Sequence, residues 1–187
     1  MTALAWGLVF SGHMIDRLDR LQPRFPVAAV PAVADAVAAG VAAEIDRREQ
    51  LAPVLAGGAC GGDILFHEAC RQQGLATEVV LALPPEQFRR TSVAFAGADW
   101  ERRYDELLSG GLVQVLDAET PDAPFDYANR WMLDAASSGT QGFTLLVLWD
   151  GAGGDDEGGT ADMVRRARAA GGEVRRIDPA TLEGPSR

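Results

Sequence analysis

Apolar residues fall in two alternating patterns along this chain. Short unbroken runs, "LAWGLVFSG" at 4–12, "APVLAGG" at 52–58, "ATEVVLALP" at 76–84 and "FTLLVLWDG" at 143–151, read as strands buried on both faces of a parallel sheet. "LVQVLDAE" at 112–119 and "EVRRID" at 173–178 read as two further, shorter strands. Between the runs the apolar positions switch to a spacing of three and four. Val27, Val30, Ala34, Val37, Val41 and Ile45 line one side of a helix with Pro31 in its first turn and "EIDRREQ" at its end. "GDILFHEACRQQG" reads as a helix stopped by Gly74, and residues 85–111 as a helical connection broken near Gly97. "FDYANRWMLDAASSG" reads as a helix capped by Asp126, and "TADMVRRARAAGG" as one that Thr160 caps.

Strands alternating with helices predict a Rossmann-like, doubly wound α/β fold: one mostly parallel sheet in a three-layer domain spanning residues 1–178, followed by a loose tail at 179–187. Ligands of such sheets lie at the carboxyl ends of the strands. Three strands end in glycine-rich or polar turns expected on one sheet edge: Ser11-Gly12-His13, Gly57 to Asp63, and Asp150 to Thr160. The second packs four glycines into "GGACGG", and two uses compete for them. Gly58, Gly61 and Gly62 either cradle a phosphate or ribose at the start of the following helix, or let helix and sheet pack closely. Asp63 reads equally as a ligand group and as an acid stabilised by the helix dipole.

Composition narrows the chemistry. The formal charge of −10 lacks the basic face that duplex nucleic acid requires, so no nucleic-acid partner is expected. All 17 cationic residues are arginine, which removes the P-loop lysine, Schiff-base chemistry and a lysine general base. Neither G-x-G-x-x-G nor G-x-x-x-x-G-K-[ST] occurs, and two histidines and two cysteines show no zinc spacing. No metal or required cofactor is expected, the acidic "DDE" at 155–157 reading as a solvated loop. Without a basic leader or an unbroken apolar run of membrane-spanning length, the expectation is a cytoplasmic chain with no membrane partner.

The stretches "FSGHMID…PRFP", "GGACGGDILFHEA", "FRRTSV" and "LWDG…GGTADMV" resemble the SLOG superfamily of Rossmann-like domains, which groups the LOG phosphoribohydrolases, the Smf/DprA domain and sensors of nucleotide-derived signals. They are most similar to a bacterial branch carrying "SGHMID" and "ACGGDILF". The resemblance covers about residues 5–178 and implies a nucleotide or nucleotide-sugar ligand across these loops. It likens Gly58 to Asp63 to a first glycine loop, and Gly158, Gly159 and Thr160 to the phosphate-binding loop of the LOG enzymes. One departure bears on activity. Where the LOG phosphoribohydrolases and the nucleoside deoxyribosyltransferases place a catalytic glutamate, this chain has Met163. The nearest acid, Asp162, is one residue early and turned about 100° around a helix.

The expected ligand contacts are therefore Ser11, Gly12, His13, Arg24, Gly58, Cys60, Gly61, Gly62, Asp63, Arg90, Thr91, Asp150, Gly158, Gly159 and Thr160. Arg24, Arg89 and Arg90 are the candidate phosphate forks, with surface ion pairs as their ordinary use. Phe25, Tyr127 and Trp131 are aromatic faces for a base or for the core. Thr91 and Ser92 read chiefly as a helix cap, Cys60 as a small buried hydrophobe, and His67 as a helix residue of the exposed or half-buried side. The leading function is binding or sensing of a nucleotide-derived metabolite. The first rival is an N-glycosidic hydrolase or transferase using Asp63 or Asp162. The second is a module that docks a second copy of the chain or a separate effector protein.

Overall fold

Six strands form one wholly parallel sheet in the order β4-β3-β2-β1-β5-β6, as seen in a computed structural model that describes residues 5–116, 123–152 and 159–182. The strands are β1 (Trp6–Gly12), β2 (Leu51–Ala56), β3 (Glu78–Leu81), β4 (Leu112–Val115), β5 (Phe143–Leu148) and β6 (Glu173–Ile177). The helices are α1 (Val30–Arg47), α2 (Gly62–Gln72), α3 (Pro85–Ser92), α4 (Ala98–Gly110), α5 (Pro124–Ser137) and α6 (Thr160–Ala169). The chain winds outward from β1 through β2 and β3 to β4, then returns to place β5 on the other side of β1. That reversal is the switch point of a doubly wound sheet.

Alternation along each strand sends side chains to two cores. Leu8, Phe10, Val79 and Leu81 face α1, α2 and α4, where Val33, Val37, Phe66 and Tyr104 are fully buried. Val9, Val80, Leu145 and Val147 face α5 and α6, where Met132, Ala136, Met163 and Ala167 cover them. A rigid three-layer frame thus fixes the strand ends.

α1, with the short turn before it, spans Val27–Arg47 and is long and apolar enough, at a mean hydropathy of 1.6, to cross a membrane by length and composition. Here Val33, Val37 and Val41 pack on the sheet. The helix also carries a buried carboxylate the apolar pattern gave no sign of: Glu44 accepts from the Thr144 hydroxyl at 2.9 Å and pairs with Arg47.

Several local expectations change. Asp126 is not a cap, because Pro124 opens α5 and puts Asp126 in the first turn, paired with Arg130 and Arg166. Nor does Thr160 cap α6: Gly159 is the capping residue and Thr160 the first helical one. The tail is not loose over its first residues, since Pro179 is buried, Leu182 packs on the core, and the Asp178 carboxylate accepts the Ala180 N–H. Residues 183–187 lie outside the described residues. The break at Gly97 is present, with φ of 99° at the start of α4, and Gly74 follows α2 with φ of 72°.

Gly61 has φ of 105°, and a Cβ there would meet the Ile15 nitrogen at 2.8 Å. Gly61→Ala therefore combines backbone strain with a clash against another backbone segment, and is expected to cost about 2 kcal/mol or more. For a chain of this size that is a fall of roughly 4–8 °C in Tm, measured by calorimetry.

Candidate functional site

A cavity of about 470 Å³ opens over the carboxyl ends of β1, β2, β3 and β5, at the switch point. Its β3 side is apolar, walled by Val80 and Ala82 from the strand end, Phe88 from α3, and Phe125, Ala128 and Met132 from α5. Phe88 and Phe125 meet with ring centroids 6.0 Å apart. Toward β1 and β5 the lining turns polar: Ser11, Gly12 and His13, the loop arginines Arg17, Arg20 and Arg24, Asp63, and Gly159 with Thr160 and Ala161 at the start of α6.

The polar side is built by the loop after β1. Asp16 organises it, its carboxylate accepting the Arg24 and Phe25 N–H groups at 2.9 Å each while pairing with Arg20. Phe25 is consequently drawn into the core and fully buried, so it is no base-stacking face. Arg17 lies over the Phe95 ring at 3.9 Å, and Arg24 stands 3.7 Å from the Asp150 carboxylate. The same Asp150 ties β5 to β1: its N–H donates to His13 Nε2 at 3.2 Å, and its carboxylate stands 3.4 Å from that nitrogen. Burial holds the His13 pKa below the ordinary histidine value, outweighing the attraction of Asp150. For Asp150 burial works against the charge, yet the Ala152 N–H, His13 and Arg24 keep it below the usual carboxylate range. His13 thus stands at the cavity edge with its Nε2 accepting the Asp150 N–H.

The glycine turn before α2 answers differently from the expected phosphate cradle. Gly62 N–H donates to the His13 carbonyl at 3.1 Å, Cys60 N–H to the Ser92 carbonyl at 2.9 Å, and Ala59 N–H to the Asp63 carboxylate at 3.2 Å. Ile15 N–H in turn donates to the Cys60 carbonyl. The chain itself occupies this helix start, with residues 13–15 laid across it. The glycines make room for that contact and for the core: a Cβ on Gly62 would meet the Phe10 ring at 3.0 Å, and one on Gly58 the Leu81 side chain at 3.1 Å. Gly58, Cys60, Gly61 and Gly62 do not line the cavity. Cys60 is fully buried, its thiol pushed up to about 12 by desolvation, so it is inert.

α6 presents the opposite case. Among the described residues no side chain caps its start, and Thr160 and Ala161 line the cavity. Its first N–H groups carry the positive end of the helix dipole at the cavity edge.

Of the remaining expected residues, Thr91 lines the cavity but lies inside α3, its hydroxyl donating back to the Phe88 carbonyl at 3.1 Å rather than capping. Arg90 is exposed, outside the cavity, and bonded to the Glu86 carbonyl; Arg89 is spent on Asp105 and Glu86. Neither is a phosphate fork here. Tyr127 and Trp131 pack against the α5 and α6 core. Asp162 is buried and held by Arg165 and Arg166, away from the cavity, and Met163 is wholly in the core. Gly158 and the acidic residues 155–157 lie outside the described residues. Sequence reading passed over Arg17, Arg20 and the α5 wall with Asn129; the arginine spacing in "DRLDRLQPR" was the available signal, whereas nothing local distinguishes Asn129.

No protein-family model and no curated protein matches this chain. Among solved structures it is similar to DNA processing protein A (DprA) from Streptococcus pneumoniae. That likeness has 14% identity and a TM-score of 0.43, and covers 98% of this chain and 63% of the DprA chain. The chain thus spans less than two thirds of the length of that structure.

A buried histidine stands behind the Gly57 turn. His67 is not on an outer helix side: its Nδ1 accepts from the Thr77 hydroxyl at 2.8 Å and its Nε2–H donates to the Gly57 carbonyl at 2.9 Å. Burial pushes its pKa down to about 4. A histidine so depressed adds stability that is complete above about pH 6.5 and is lost as pH falls toward 4, a change of about 3 kcal/mol. Urea unfolding from pH 7 to pH 4 is expected to show this component in the wild type and not in His67→Gln.

Proposed function

We propose that the cavity binds a nucleotide or nucleotide-derived metabolite, as a member of the SLOG superfamily would, and that this chain senses or holds that molecule. One observation carries the reading. The start of α6, without a side-chain cap among the described residues, a cluster of loop arginines and an apolar wall with aromatic rings converge on one cavity at the switch point of a parallel sheet. Its volume is in the range that takes small metabolites. Phosphate charge would sit against the first N–H groups of α6 and Arg24, and a heterocycle against Phe88, Phe125 and Met132. Arginine suits this role because its planar fork stays charged and matches phosphate oxygens bidentately.

The hydrolase or transferase reading is weaker. It needs a carboxylate beside the sugar; among the described residues Asp162 is locked on the far side of α6, and of the acids lining the cavity Asp16 is taken up by the Arg24 and Phe25 N–H groups, which leaves Asp63. A docking module remains the outcome if nothing binds.

Thermal shift against nucleotides, NAD-derived metabolites and cyclic nucleotides, with single-stranded DNA as a separate arm, tests the proposal. A ligand at a hundred times its Kd stabilises by about 2.7 kcal/mol, which here means a rise of roughly 5–10 °C. One small-molecule class is expected to give it. No shift from any small molecule overturns the reading, and a shift from DNA alone replaces it. Thr160→Pro sharpens the site: proline fits the first helical position, so the fold should hold while one donor is deleted. Its affinity for the active ligand is expected to fall about tenfold with little change in the Tm of the free protein, and an unchanged affinity would take the phosphate away from α6.

A further inference from the structure

The apolar side of the cavity is built from two helix faces that carry the same arrangement. On α5, Phe125, Ala128, Asn129 and Met132 fall at spacings of three and four, so one face lines the cavity with Asn129 a turn beyond the Phe125 ring. On α3, Phe88 is followed at the same spacing by Thr91 and Ser92, which line the cavity too. The two rings meet, and each helix sets a polar side chain one turn after its ring. What those polar groups can do follows from where their hydrogens already go. Thr91 has a single hydroxyl hydrogen, and the Phe88 and Gln87 carbonyls stand 3.1 and 3.2 Å from its oxygen. Ser92 Oγ lies 3.2 Å from Thr91 Oγ1, and with the threonine hydrogen committed to a carbonyl it is Ser92 that donates in this pair. Ser92 is 4% exposed, so its oxygen offers the cavity lone pairs and no remaining hydrogen. A buried acceptor of this kind is satisfied by an N–H and opposed by a carbonyl oxygen. Asn129 carries two N–H donors and an acceptor on one planar group, which matches a heterocycle edge where an amino group adjoins an acceptor ring nitrogen.

Resting on the nucleotide reading above, we propose that Ser92 and Asn129 make this cavity selective for heterocycles bearing an exocyclic amino group over their oxo counterparts. Ser92 Oγ accepts one amino N–H, the Asn129 carbonyl accepts the other, and the Asn129 amide donates to the ring nitrogen beside it. In an oxo heterocycle a carbonyl oxygen replaces the amino group and the ring nitrogen carries a hydrogen. Asn129 can turn its amide over to follow that exchange. Ser92 can donate to the new carbonyl only by giving up Thr91, so the serine is the discriminating group.

Two matched pairs of nucleotides test this with the pyrophosphate held constant: ADP against IDP, and CDP against UDP, each titrated calorimetrically into the full chain. Within a pair the amino group and acceptor nitrogen of the first become the carbonyl and N–H of the second. The wild type is expected to bind the amino member of any pair it takes about tenfold or more tightly than the oxo member. Ser92→Ala removes the oxygen with little change of volume, and is expected to bring the two members within about threefold of each other. Asn129→Leu, of similar shape, is expected to weaken the amino member about tenfold. Equal affinities in the wild type, a preference that survives Ser92→Ala, or an Asn129→Leu variant that binds the amino member as the wild type does each overturn the proposal. The wild-type comparison stands whether or not either variant folds. If none of the four nucleotides binds the wild type, the nucleotide reading fails and takes this assignment with it, an outcome set apart by absent binding rather than absent preference.

Discussion

The contact on which the site depends is the crossing of residues 13–15 over the start of α2. It takes the Gly62 N–H onto the His13 carbonyl, while the Ser92 carbonyl takes the Cys60 N–H of the same turn. It also holds the loop after β1 where Asp16 can gather the Arg24 and Phe25 N–H groups, which in turn sets Arg24 beside Asp150. Without glycine at position 61 the two backbones could not approach so closely. A turn that looks like a binding loop is thus a structural joint, and the helix start that lines the cavity with its first residues is that of α6.

Electrostatics follow from this arrangement. The chain carries a net charge of −10, yet the polar side of its cavity gathers Arg17, Arg20 and Arg24 near the start of α6. Local placement, not net charge, decides what approaches. Asp16 pairs with Arg20 and Asp150 with Arg24, which tempers both arginines. Desolvation lowers the His13 pKa below the ordinary histidine value and raises the Asp63 carboxyl to about 7.

The fold was legible in the sequence because unbroken apolar runs and three-four spacing are direct consequences of which faces are buried. Every strand and helix read from that pattern is present among the described residues, with the break at Gly97 and the stop at Gly74 where backbone freedom predicts them. The site was only half legible. Ser11, Gly12, His13, Arg24, Asp63, Thr91, Gly159 and Thr160 line the cavity, and Asp150 braces its rim. Gly58, Cys60, Gly61 and Gly62 do not, because a glycine's purpose depends on which atoms come near it, and the neighbours here, Ile15 and Phe10, are distant or apolar in sequence terms. Asp126 and Thr160 failed as caps for a smaller reason: Pro124 and Gly159 set the helix starts, so each capping residue lies one to three positions earlier. The buried His67 was hidden because its partners, Thr77 and Gly57, are supplied by segments on either side of its helix.

The most direct test of the central claim is amide NMR mapping of the two helix starts during titration with the nucleotide that gives the largest thermal shift. The Thr160 and Ala161 amides are expected to shift with ligand concentration while that of Gly62, already bonded to the His13 carbonyl, stays nearly still. A large shift at Gly62 with Thr160 and Ala161 unmoved would contradict the account, and would return the phosphate to the glycine turn of α2.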